Sequence, residues 1–195
     1  MATPERTPMN LDQLSGLITP EVGEFLASVA RQVPADLAIV EIGSFRGMST
    51  CYLASGARDG NGAKVWAVDP WDLPGNPYGK HGYSAPIVRE EFERQLRGLQ
   101  LWSRVNPVQD FSTSAAAAWT GPKIGLLFID GDHDESAVRS DIEQWSPHLA
   151  ESHLVVLDDL DTPRNPGVRV VADELADAGW LFEKAADRLA VLCRS

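Results

Sequence analysis

VEIGSFRGMST, residues 40–50, closes an apolar run with an acid, turns on two glycines and enters a helix. An apolar strand that ends in a carboxylate and a glycine is what a buried parallel strand leaves at its carboxyl end. Gly43 permits the tight turn, and Gly47 lets the backbone come close to a ligand at the helix N-terminus. The spacing is G-x-x-x-G, whereas a dinucleotide site needs G-x-G-x-x-G, so a pyrophosphate grip is disfavoured. By itself the turn is equally consistent with a purely structural role.

Outward from this turn the chain alternates. Residues 20–33 carry a helical pattern opened by Thr19 and Pro20, with Pro34 just past its end. LAIVEIG (37–43) reads as the first strand and GMSTCYLASGA as the next helix, followed by the strand KVWAVD (64–69) and a Pro-, Gly- and Tyr-rich loop from 70 to about 84. A helix over 86–99, a weak strand near RVNPVQ, a short helix around STSAAAAW and the strong strand IGLLFID (124–130) come next. Then come the helix ESAVRSDIEQWSPHL, the strand HLVVLDD (153–159), the helix GVRVVADELADAG closed by Gly179, and a terminal hairpin turning at Ala186 and Asp187. Such alternation predicts an α/β, Rossmann-like, doubly wound sheet. Seven mostly parallel strands, with an antiparallel C-terminal strand, carry helices on both faces. Ligands are expected at the carboxyl ends of the strands, where all the motifs fall.

The bulk properties narrow the class. At 195 residues one core suffices, with residues 1–35 read as a leader and a helix ahead of a single domain over 36–195. The chain is 44% hydrophobic and 23% charged, and no apolar run approaches the roughly 18 residues of a membrane span. The polar N-terminal segment MATPERTPMN has no apolar core of a secretory signal, and Cys51 and Cys193 stand far apart, which suits a reducing cytoplasm. A net charge of −11 repels phosphate backbones and anionic lipid, so neither nucleic acid nor membrane is an expected partner. The N-terminal helix could pack on a twin subunit.

Asp69 ends the second strand, where a carboxylate in such a fold accepts the two hydroxyls of a ribose; the simpler role is to cap the turn before Pro70. Glu41 at the end of the first strand, Gly43, Ser44 and Gly47 in the turn, and Asp69 together describe a nucleoside pocket without a phosphate grip, as S-adenosylmethionine requires. VEIGSFRGMST followed by VWAVDPW resembles motifs I and II of the class I S-adenosylmethionine-dependent methyltransferases. FIDGDH (128–133), followed by a strand ending in paired acids, resembles their metal-dependent small-molecule O-methyltransferases. That branch includes the catechol and caffeoyl-CoA types, the macrolide-sugar type and the related cephalosporin hydroxylase-like proteins.

The resemblance implies a function and a ligand set. Asp130, Asp158 and Asp159 match the positions that ligate Mg²⁺ or another divalent cation, and carboxylate oxygens suit a hard ion. The competing reading has Asp158 and Asp159 opening a solvated loop, and both can meet one ion only if the strand has already bent. His133 matches the general base, a histidine in the macrolide type; alternatively it is a loop histidine bonded to its acidic neighbours. Asp132 is assigned to the cofactor, while Asp134 and Glu135 suit the helix dipole. Asp110 and Ser112, after the third strand, are candidate cofactor contacts or, for Ser112, a helix cap. The 70–84 loop, with Trp71, Tyr78, His81 and Tyr83, is a candidate lid, and His148 and His153 read as structural. The expectation is a Mg²⁺-dependent O-methyltransferase acting on a small-molecule hydroxyl, on a sugar or a phenol. The alternative is a non-catalytic cofactor- or metal-binding partner.

Overall fold

A computed structural model describes residues 9–163, 165–186 and 188–194. Seven strands form one sheet: β1 (Ala38–Ile42), β2 (Lys64–Asp69), β3 (Val105–Gln109), β4 (Ile124–Ile129), β5 (Leu149–Leu157), β6 (Leu181–Ala185) and β7 (Leu189–Cys193). Their order is β3-β2-β1-β4-β5-β7-β6, with parallel pairing from β3 through β5 and β7 antiparallel to both its neighbours. The helices are α1 (Pro20–Ala30), α2 (Met48–Asp59), α3 (Ala85–Gly98), α4 (Ser112–Ala117), α5 (Glu135–Trp145) and α6 (Pro166–Asp177). None among the described residues is long and apolar enough to cross a membrane.

Strand alternation divides the core between the two faces of the sheet. Ile39, Val65, Leu126 and Phe128 pack with Val22 and Leu26 of α1, Leu53 of α2 and Phe92 and Leu96 of α3. On the other face Val40, Val68, Leu127 and Ile129 meet Val138, Ile142 and Trp145 of α5 and Val168 and Val171 of α6. The helix of the N-terminal segment therefore shares the core of the main sheet. It comes close to α2 because Gly56 has no side chain: a Cβ there would lie 2.1 Å from the Ala27 carbonyl oxygen.

Several boundaries differ from the sequence expectation. β5 begins at Leu149, four residues early, and stops at Leu157, so Asp158 and Asp159 lie beyond it. Asp159 has φ +62°, a left-handed conformation that bends the chain directly after the strand. α5 ends at Trp145 and tightens into a 3₁₀ turn over Ser146–His148, because Pro147 has no N–H with which to continue an α-helix. The final hairpin turns at Ala186 as expected, with φ +44°, while Asp187 lies outside the described residues.

The ladder continues into the loops at the carboxyl edge. Gly43 N donates to Val68 O (3.0 Å), Asp130 N to Ile42 O (2.9 Å) and Asp158 N to Ile129 O (3.0 Å). The residues that follow β1, β4 and β5 are thus held side by side. Gly43, at φ +86°, sits so close to β4 that a Cβ would meet the Asp130 carbonyl oxygen at 2.2 Å. Gly43→Ala is expected to destabilise the chain by at least about 2 kcal/mol, from left-handed strain and the backbone clash together, as read from the midpoint of chemical denaturation.

Candidate functional site

Carboxylates gather at the carboxyl edge of the sheet. Glu41 is fully buried; its Oε2 accepts from Ser44 Oγ (2.7 Å) and Thr50 Oγ1, while Oε1 has no hydrogen-bond partner. Burial pushes its pKa up to about 7, against the pull of the Ser49, Thr50 and Ser44 hydroxyls and with help from the charge of Asp69. Asp69 is also buried, and every acceptor it shows is engaged. Its Oδ2 takes Phe45 N (2.9 Å) and Tyr78 Oη (2.6 Å), and its Oδ1 takes Trp71 N (2.7 Å). Burial raises its pKa, and these donors oppose the rise.

The 70–84 loop lies packed on the glycine turn. Phe45 stacks against Tyr78 (5.6 Å) and Tyr83 (5.0 Å), and the Arg46 guanidinium covers Phe45 and Tyr83. Trp71 is fully buried, donates Nε1 to Phe45 O (3.1 Å) and packs on Phe92 (4.7 Å), which gives it a packing role. His81 is exposed. Gly47, the left-handed N-cap of α2, has Phe92 where its side chain would be, at 2.7 Å, so protein packing accounts for this glycine without a ligand.

One strand further, three acids and a histidine meet an arginine. Arg188, just before β7, grips the buried Asp158 with two parallel hydrogen bonds, Nε to Oδ1 and Nη2 to Oδ2, each 2.7 Å, and its Nη2 also pairs with Asp159. Asp159 additionally accepts from Asn165 Nδ2 (2.6 Å) and Thr162 Oγ1 (3.3 Å). His133 lies between the acids, its Nδ1 3.4 Å from Asp159 Oδ2 and its Nε2 3.4 Å from Asp130 Oδ1. Nε2 is buried and makes no well-formed hydrogen bond, Asp130 Oδ1 lying 3.4 Å away. Burial alone would lower His133, but the close contact and charge of Asp130, with Asp159 and Asp158 behind it, carry its pKa above the ordinary value. Burial and the charge of Asp158 push Asp130 up, while His133 and Arg188 pull it down.

The other expected residues lie apart from these. Ser112 donates to Asp141 Oδ1 (2.5 Å) and accepts from Trp145 Nε1 (2.9 Å), which ties α4 to α5 and uses the hydroxyl inside the fold; it is no helix cap. Asp110 Oδ1 accepts from Phe111 N (2.8 Å), and the exposed Asp132 from Asp134 N (3.1 Å). His148 bonds Ala116 O among Trp119 and Trp145, and His153 bonds Ala150 O beside Trp180; both serve packing, as expected. Cys51 is buried and unpaired, its thiol pushed well up by burial.

Comparison with known proteins agrees with this layout. A family model described as a methyltransferase domain matches residues 40–160. The chain belongs to this methyltransferase-domain family. Similar solved structures include cofactor-bound Rv0187 from MTB, at 20% identity and a TM-score of 0.68 over 92% of this chain and 83% of that one. An O-methyltransferase from Bacillus cereus in complex with SAH aligns at 17% identity and 0.64, over 91% and 82%. CalS11, a calicheamicin methyltransferase, aligns at 17% and 0.63, over 87% and 76%. At these identities the likeness establishes the fold.

The methyltransferase's two expected ligands fare differently. For S-adenosylmethionine the residues fit: the orphaned Glu41 Oε1 is a buried acceptor in want of a donor, beside the Gly43 turn and Asp69. Asp69 can take a ribose only if Tyr78 yields its place. For a divalent ion they do not fit. Among the described residues no group of three or more His, Cys, Asp or Glu side chains is placed to hold one, because Arg188, Asn165 and Thr162 have claimed the oxygens of Asp158 and Asp159.

Sequence reasoning missed Arg188, Asn165 and Thr50. Thr50 lies one helical turn into α2, facing Glu41, and could have been found from helix periodicity. Arg188 and Asn165 come from segments distant in sequence, and only the β5–β7 pairing brings Arg188 to the acids. Because Glu41 is protonated more readily folded than unfolded, its contribution to stability is full below about pH 4.5 and is lost as pH rises through about 7. Glu41→Gln removes this slope, so between pH 4.5 and 8 it should lose roughly 3 kcal/mol less stability than the native chain in thermal or chemical denaturation.

Proposed function

We propose that this methyltransferase uses S-adenosylmethionine to methylate a hydroxyl of a small molecule, a sugar or a phenol. The observation that carries the reading is His133 Nε2, a buried ring nitrogen with no well-formed hydrogen bond, facing Asp130 Oδ1 at 3.4 Å at the ligand edge of a matched methyltransferase domain. Bound S-adenosylmethionine supplies an electrophilic methyl group on a sulfonium. Glu41 with its free oxygen, Ser44, the Gly43 turn and Asp69 hold the cofactor, with Asp110 and Asp132 as outer contacts. Ser112, whose hydroxyl is engaged by Asp141 and Trp145, would have only its backbone to offer the cofactor.

His133 is the base. In the tautomer that directs Nδ1–H toward Asp159 Oδ2 and leaves Asn165 Nδ2 to Asp159, Nε2 beside Asp130 is the nitrogen that accepts the proton of the acceptor hydroxyl as its oxygen bonds the methyl and the methyl–sulfur bond breaks. The products are the methyl ether, S-adenosylhomocysteine and an imidazolium balanced by Asp130 and Asp159. The reading involves no divalent cation, since Arg188 already balances the acids expected to ligate one. A net charge of −11 favours a small acceptor over a nucleic acid.

A panel of phenolic and sugar acceptors, assayed by S-adenosylhomocysteine release, tests the proposal together with calorimetric binding of S-adenosylmethionine. His133→Ala should lower kcat by about 10²- to 10⁴-fold and leave cofactor affinity unchanged. Full turnover by His133→Ala would remove this residue from the chemistry, and failure of the native chain to bind S-adenosylmethionine would remove the function.

A further inference from the structure

We propose that Arg188 is a built-in cation standing where the resembling enzymes place a divalent metal, so that the Asp130, Asp158 and Asp159 cluster neither takes nor needs a metal ion. The arrangement is a constructed one. Asp158 is fully buried and both its oxygens face the guanidinium in the planar two-bond geometry that arginine alone among the cationic side chains provides. The left-handed Asp159 turns its carboxylate back toward the same group, although two neighbours in an extended strand would point to opposite faces. The arginine is fixed by its own backbone: Leu160 N donates to Arg188 O (2.8 Å), tying the start of β7 to the segment that carries both acids. A metal could enter only by displacing Arg188 from Asp158, which would leave a buried charge network to be rebuilt.

Arg188 also acts as a positioning residue. It holds Asp159, and Asp159 and Asn165 flank His133 Nδ1. A guanidinium has no coordination positions to offer, so the acceptor needs no chelating pair of oxygens and a single hydroxyl suffices. This last point rests on the proposed O-methylation; the displacement of the metal does not.

The test reads metal binding without turnover, so it stands whether or not the O-methyltransferase reading survives. Mn²⁺ is titrated into the full-length native chain and followed by electron paramagnetic resonance, with and without S-adenosylhomocysteine. The expected result is no stoichiometric site. One Mn²⁺ bound per chain, and lost in Asp130→Asn, would overturn the proposal. Arg188→Gln should acquire Mn²⁺ affinity at least roughly tenfold above the native chain, and lose it again when Asp158→Asn is added. A variant that keeps its circular dichroism spectrum yet gains no affinity would also overturn it. If Arg188→Gln fails to fold, the native titration decides alone.

Discussion

Parallel pairing forces carboxylates together. β2, β1, β4 and β5 run side by side in one direction, so Asp69, Glu41, Asp130 and the Asp158–Asp159 pair are delivered to the same edge of the sheet. Two like charges about 4 Å apart cost on the order of 4 kcal/mol near a protein surface, against a total stability of roughly 5–15 kcal/mol. An uncompensated set would threaten the fold. The chain offsets each acid differently: hydroxyls and a raised pKa at Glu41, backbone N–H groups and Tyr78 at Asp69, His133 at Asp130, and Arg188 at Asp158 and Asp159. The surrounding geometry follows from these solutions, including the packed 70–84 loop and the left-handed turn after β5.

This division gives the edge two halves with different tasks. Around β1 and β2 one carboxylate oxygen is left without a donor and a loop tyrosine covers the other acid, the arrangement on which the proposed nucleoside site rests. After β5 the carboxylates of Asp158 and Asp159 are engaged by protein donors, and after β4 Asp130 faces the His133 ring nitrogen. A site that must bind a nucleoside needs the first arrangement, and a site that must move a proton needs the second. The β1–β4 contact through Gly43 sets the distance between them.

Much of this was legible in the sequence for reasons that can be named. Strands such as LAIV and LLFI are continuous apolar runs because both their faces are covered, and the acids that follow them, Glu41 and Asp130, mark the ligand edge. His133 and the acids at 130, 158 and 159 could be grouped because a parallel sheet aligns the strand ends. What stayed hidden depends on contacts between segments far apart in the chain. The pairing of β7 with β5 that delivers Arg188, the reach of Asn165 from the start of α6 and the clasp of Tyr78 on Asp69 leave no local pattern. The metal expectation rested on spacing, which reveals where acids gather but not that Arg188, from the last hairpin, lies against Asp158 and Asp159. The packing of Phe92 on Gly47 was likewise hidden, because Phe92 lies on a helix 45 residues away.

The central claim is that this edge pairs a nucleoside site at Glu41 and Asp69 with an acidic cluster closed by arginine. A crystal structure of the full chain grown with S-adenosylhomocysteine and Mn²⁺, with anomalous data collected for manganese, tests it most directly. The account predicts the nucleoside beside Glu41 and Asp69, Arg188 still across Asp158 and Asp159, and no anomalous peak among the acids. A manganese peak bounded by Asp130, Asp158 and Asp159, with Arg188 swung away, would contradict it.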